Sequence, residues 1–252
     1  MAWQTRWFCF HAPPDADEAA TIGLDKMRRR VNRRLKPAVD INRYGGHGRR
    51  CTRLRCTVMG VYLVSANSEH LEGGSPWIDV FTTLDETLAA MGIDDGIQVP
   101  VYRHQPRGTG YAFEEKLIFS GDGFNELCRR ELSPRDVEVF HWDVLVPIDF
   151  EGPIDLPLKN YYSQTTTARS AQRMLPAAMR LAAAIELPAE TPKYCDNLQL
   201  TSFFGDFEER GHAANVTATG PWRDDLGMAF HTALYLRAAE HSIRRRCPIF
   251  CS

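Results

Sequence analysis

Apolar residues recur along this chain with two different periods, and the periods divide it into helices and strands. Ala20, Leu24, Met27, Val31 and Leu35 are spaced by four, three, four and four residues, which lines one face of an α-helix. Asp15 with Glu18 three positions on makes a capping box at its start, and the helix must end before Pro37. A second helix is predicted from Ser75-Pro76, a cap followed by proline in the first turn. Trp77, Val80, Phe81, Leu84, Leu88 and Met91 form its apolar face, and Gly92 stops it. Phe124–Leu132, the alanine-rich stretch Thr166–Glu186 with Pro176 inside it, and a last segment opened by Asp224-Asp225 and running to about Arg246 also read as helical.

Strands are expected where alternation or β-branched and aromatic residues dominate. Trp3–His11 ends at Pro13-Pro14, and Cys51–Ser65 begins polar and becomes almost wholly apolar. Ile97–Arg103 is expected to pair with Lys116–Ser120; Val137–Ile148 reads as a buried strand, and Leu198–Phe204 as a further strand. Pro147, Pro153 and Pro157 punctuate what reads as an irregular linker. Mixed strands and helices in this order give the α+β class. The chain is read as a single domain over residues 1–252, with a candidate division into 1–150 and 158–252 and two ferredoxin-like halves as one way to build it. There is no internal repeat, heptad array or low-complexity tract.

Charge changes this picture at one place. Residues 24–56 hold twelve of the thirty Lys and Arg residues against only Asp25 and Asp40, a local charge of +10. The whole chain is −2, so the remaining residues must carry −12. Arg28, Arg29, Arg30, Arg33 and Arg34 cover the polar circumference of the first helix, with like charges at i,i+4 and no acid between them. The loop that follows, Arg43-Tyr44-Gly45-Gly46-His47-Gly48-Arg49-Arg50, continues the basic surface. Guanidinium groups pair with phosphate oxygens, and glycines let backbone N–H groups approach an anion. Arg28, Arg29, Arg30, Arg33, Arg34, Arg43, Arg49 and Arg50 are therefore the candidate anion contacts. Tyr44 and Trp77 are candidates for stacking on unpaired bases, which favours RNA or single strands over duplex. The competing explanation is a solvated face, or one neutralised by acidic segments such as Asp149-Glu151-Asp155, Asp206-Glu208-Glu209 or Asp224-Asp225.

Other chemistry finds less support. His47, Cys51, Cys56, Cys247 and Cys251 offer ligand atoms, but Cys51 and Cys56 would point to opposite strand faces, so no metal site is expected. No cofactor motif is present either. Cys9 with His11, and His141 with Asp143, share strand faces as alternation alone would place them, and both pairs are read as structural. Arg107-Gly108-Thr109-Gly110 and Gly121-Asp122-Gly123 read as turns. The one enzymatic idea is metal-independent phosphoester cleavage, with His47 as general acid or base beside arginine-held phosphate.

Seven scattered cysteines, a first segment without a signal-peptide core and no long apolar run lead to the expectation of a cytoplasmic protein with reduced thiols and no membrane span. Three functions compete on this basis. The first is a binding protein for a polyanion, RNA or single-stranded nucleic acid foremost. The second is a protein–protein inhibitor or adaptor, such as an immunity-type protein occluding a toxin. The third is a nuclease or other phosphoester hydrolase.

Overall fold

A computed structural model describes residues 61–68, 75–97, 108–210 and 219–252. The first helix, the Trp3–His11 strand, the strand start at 51–60 and most of Ile97–Arg103 lie outside the described residues.

Six strands form one mixed sheet: β1 (Tyr62–Ser65), β2 (Glu114–Lys116), β3 (Val144–Val146), β4 (Ile154–Leu156), β5 (Thr166–Ser170) and β6 (Ile249–Cys251). Their order across the sheet is β2-β1-β6-β3-β5-β4. Only β3 and β5 are parallel, and the other neighbours run antiparallel. Among the described residues six α-helices accompany the strands: α1 (Pro76–Ala90), α2 (Asp122–Glu131), the single turn α3 (Pro134–Val137), α4 (Ala171–Ala184), α5 (Gln199–Arg210) and α6 (Leu226–Arg245). The α+β class holds. A pair of ferredoxin-type halves is not seen among the described residues, because β6, the last strand, lies between β1 and β3 within the one sheet.

Alternation along the short strands feeds two cores. Val64, Val144, Val146 and Phe250 point to the side covered by α1, where Trp77, Val80, Phe81, Leu84 and Leu88 complete the cluster. Leu63, Leu145, Ile249 and Cys251 point to the other side, against α2, α4, α5 and α6. A strand buried on both faces must be apolar at every position, which is why β3 reads as Val-Leu-Val. Helix α6 is the centre of the second core: every residue from Met228 to Leu236 is buried, so one amphipathic stripe would not suffice. The Asp225 carboxylate caps it by accepting from Met228 N at 2.8 Å. Arg246 ends it in the left-handed conformation, φ 50°.

Several sequence expectations need correcting. Residues 137–148 are not one strand: Ser133-Pro134 start α3, a 3-10 turn spans Glu138–Phe140, and only Val144–Val146 is extended. Thr166–Ser170 is a strand rather than the start of a helix, since its β-branched pair suits the β3–β5 ladder and Ser170 caps α4. The expected strand Leu198–Phe204 is helical from Gln199 onward, not extended. Leu200, Phe204 and Phe207 recur at helical spacing, and all three are buried in the core. The strand expected at Lys116–Ser120 ends at Lys116 and pairs with β1. The proline-punctuated segment contributes β4. Helix α1, with Ser75 as its cap, and α6 match their sequence signals.

Candidate functional site

Arg28, Arg29, Arg30, Arg33, Arg34, Arg43, Arg49, Arg50, Tyr44 and His47 all lie outside the described residues, as do Cys9 and His11. Trp77, the other candidate base-stacking residue, is described and is unavailable for that role. It is fully buried, with its ring centroid 4.8 Å from that of Phe250. Its helical apolar stripe is the stronger signal, and burial against the sheet follows from it.

The acidic segments named as internal partners are in part already engaged by other residues. Asp149 pairs with Arg173, Glu151 with Arg135 at 3.7 Å, and Asp155 accepts from the Thr167 hydroxyl at 2.7 Å. Asp225 is spent on its helix cap, while Glu208, Glu209 and Asp224 are exposed.

One polar cluster on the sheet joins the 3-10 turn to β3 and β5. Glu138 Oε2 lies 3.4 Å from His141 Nδ1 and 3.4 Å from Arg169 Nη2. Arg169 Nε donates to the His141 carbonyl at 3.3 Å. Asp143 Oδ2 accepts from Thr167 N at 2.8 Å. The i,i+2 relation of His141 and Asp143 thus resolves into two different jobs: the imidazole sits by Glu138, while the carboxylate ties β3 to β5. Arg169 is 8% exposed and its guanidinium pKa is pulled down by burial, opposed by Glu138 and Asp155. Each member holds a neighbouring element in place, so the cluster reads as a clamp at the strand ends.

Cysteine chemistry is equally structural. Cys247 belongs to the core on the α1 side and Cys251 to the core on the opposite side, so the C-x3-C spacing makes no knuckle. No group of three or more His, Cys, Asp or Glu side chains among the described residues is arranged to hold a metal. Burial pushes the Cys128 and Cys247 thiols up to about 12, and the Cys195 thiol well above its ordinary value, which makes all three poor nucleophiles. Cys251 is disulfide-bonded, so the expectation of reduced thiols fails at that position. Gly121 and Gly123 do not form an isolated turn but sit at the start of α2, and a Cβ at Gly123 would collide with the Asp225 carboxylate.

Sequence reasoning missed the buried titratable groups. Glu115 sits in the charged triplet Glu114-Glu115-Lys116, which looks like surface, yet it is wholly buried. His231 and His241 lie within α6, and burial lowers them to about 4 and about 3. His231 Nε2 is 3.1 Å from the Phe119 carbonyl, and His241 packs edge-on to Phe113 at 5.6 Å. A histidine within an apolar helical run is the only sequence signal that marks them.

No family model, curated protein or solved structure matches the chain. No helix among the described residues is long and apolar enough to cross a membrane.

Proposed function

We propose that this chain is a polyanion-binding protein whose segment 24–56 engages RNA or single-stranded nucleic acid. The α+β domain serves as its scaffold. The observation that carries the reading is the segregation of charge: +10 within residues 24–56 and −12 over the rest. Arg28, Arg29, Arg30, Arg33, Arg34, Arg43, Arg49 and Arg50 provide phosphate contacts in this reading, and Tyr44 provides a ring for base stacking. Asp149 pairs with Arg173, Glu151 lies by Arg135 and Asp225 caps α6, so these acids already have partners outside the basic segment, which favours an external anion for it.

Fluorescence anisotropy against labelled single-stranded RNA, single-stranded DNA and duplex, from low to moderate salt, tests it. Tight single-strand binding with a steep salt slope is expected, lost when Arg28, Arg29, Arg33 and Arg34 become Ser. Absence of binding at low salt by the folded wild type would overturn the proposal.

A second reading, an inhibitor of immunity type docking on a basic toxin, draws on the exposed carboxylates Glu208, Glu209 and Asp224 and the −12 remainder. Exchanging the segment's arginines for lysine separates the two. Point-charge contact with phosphate largely survives that exchange, whereas a bidentate or stacked protein contact does not.

A further inference from the structure

We propose that Arg244 and Arg245, stacked on Tyr194 and Tyr111 at the end of α6, form a second docking point for single-stranded nucleic acid; this rests on the polyanion reading above. The guanidinium carbon of Arg244 lies 5.5 Å from the Tyr194 ring centroid, and that of Arg245 lies 5.7 Å from the Tyr111 ring centroid. Arg245 Nε donates to the Gly110 carbonyl at 3.0 Å, leaving its other N–H groups for a ligand. Both arginines are exposed, as are Lys193 and Tyr194, the latter 52%.

The patch is preorganised from below. Gly110 has φ +63°, and a Cβ there would collide with the Tyr194 ring, so glycine is needed both for the backbone conformation and for the ring's seat. The Asp196 carboxylate holds the loop by accepting from Gly108 N at 3.0 Å and Gly110 N at 2.7 Å. Gln199 Nε2 donates to the same carboxylate at 2.8 Å. Asp196 is 7% exposed and its oxygens are already engaged, so it serves the loop rather than the arginines.

What singles out this pair is its lack of a counter-ion. Elsewhere on the described surface arginines are matched with carboxylates, Arg173 with Asp149, Arg180 with Asp136 and Arg237 with Glu240. Among the described residues no carboxylate lies within ion-pair distance of Arg244 or Arg245. A run of cations at a helix C-terminus also complements the helix dipole, but that role needs neither the paired rings nor the braced loop. Planar guanidinium groups interleaved with aromatic rings suit a phosphate chain carrying unpaired bases. A protein partner would want a desolvated apolar anchor. The other exposed large hydrophobic residues, Ile78, Met91, Ile118, Tyr161 and Met179, belong to other segments.

The test is anisotropy of the full chain with a labelled oligouridylate across a salt series. The variant Arg244→Ser/Arg245→Ser is compared with Arg129→Ser/Arg130→Ser, an equal charge change where each arginine pairs with a neighbouring glutamate. The patch variant is expected to bind about tenfold more weakly, with a log–log salt slope smaller by roughly 1.4, about 0.7 for each lost phosphate contact. Arg244→Ser alone breaks no hydrogen bond and carries part of that loss, so the weakening is not attributable to an unseated loop. If both patch variants bind like the control while the Arg28/Arg29/Arg33/Arg34 variant fails, this second site is wrong and the basic-segment reading stands. If the wild type does not bind at low salt, both fall together.

Discussion

The carboxylate of Glu115 caps the distant helix that begins at Gln199, accepting from Thr201 N at 2.9 Å and from the Thr201 hydroxyl at 2.8 Å. Its other oxygen accepts from Leu200 N at 2.9 Å. One side chain thus joins edge strand β2 to the positive end of α5, and it satisfies two backbone donors that α5 itself leaves open. Replacing it with alanine strands those donors in a buried place. Glu115→Ala is expected to cost about 3 kcal/mol and Glu115→Gln roughly half as much, read from urea midpoints at pH 7. Wild-type stability in Glu115→Ala would mean that the contact does not hold α5.

Glu115 also sets a pH dependence. Burial raises its pKa above 4.5, against the lowering effect of the Thr201 and Leu200 hydrogen bonds. The folded state therefore holds a proton more tightly than the unfolded chain. Stability falls as pH rises from 4.5 through the folded-state value, and is flat on either side. Glu115→Gln should lack this slope in a series of urea titrations.

The two buried histidines act in the opposite sense. Folded-state values of about 4 for His231 and about 3 for His241 lie below the ordinary 6.5. For His241, burial is the main cause and Arg244 and Arg245 add to it. Both contributions are fully present above pH 6.5 and drain away as pH falls, because the unfolded state takes up protons that the folded state refuses. His241→Phe, which keeps an aromatic partner for Phe113, should gain about 2 kcal/mol on the wild type between pH 7 and pH 5. Parallel pH profiles would refute the assignment.

The start of α6 is a tight three-way fit. Asp225→Ala should cost about 1 kcal/mol through loss of the Met228 N–H bond. Gly123→Ala should cost at least as much, since its methyl would displace that same carboxylate. The double variant should cost less than the sum of the two, a non-additivity that thermal melts can resolve.

On the other face of the sheet, Trp77 is the test residue. Trp77→Ala removes a fully buried ring packed on Phe250 and Phe81 and should cost about 4 kcal/mol. Ile78, the next residue, is 42% exposed, and Ile78→Ser should change stability by under about 0.5 kcal/mol.

Periodicity and capping made α1 and α6 legible, because Ser75, Pro76 and Asp225 state their starts locally and the apolar residues repeat at one period. They failed at α5, where Phe203 and Phe204 beside Thr201 suggest a strand and the deciding cap, Glu115, is remote in sequence. They failed again at Thr166–Ser170, where strand geometry comes from β3 and not from the alanine-rich helix that follows. The Arg244–Tyr194 and Arg245–Tyr111 pairs had no local signature either. In sequence the arginines read only as helix-end cations, and the rings meet them solely because the Asp196-held loop folds back.

The two edge strands, β2 and β4, carry a consequence for the protein at high concentration. An open sheet edge is a template on which another chain can add a strand. Here each edge is three residues long. The outer groups of β2 are already taken, Glu114 N by the Cys195 carbonyl and Lys116 N by the Thr201 hydroxyl, while β4 is bracketed by Pro153 and Pro157, which have no N–H to offer. The prolines that punctuate the sequence like a linker thus act as guards against strand-by-strand aggregation. Pro153→Ala/Pro157→Ala should lower the concentration at which the folded protein begins to bind thioflavin T.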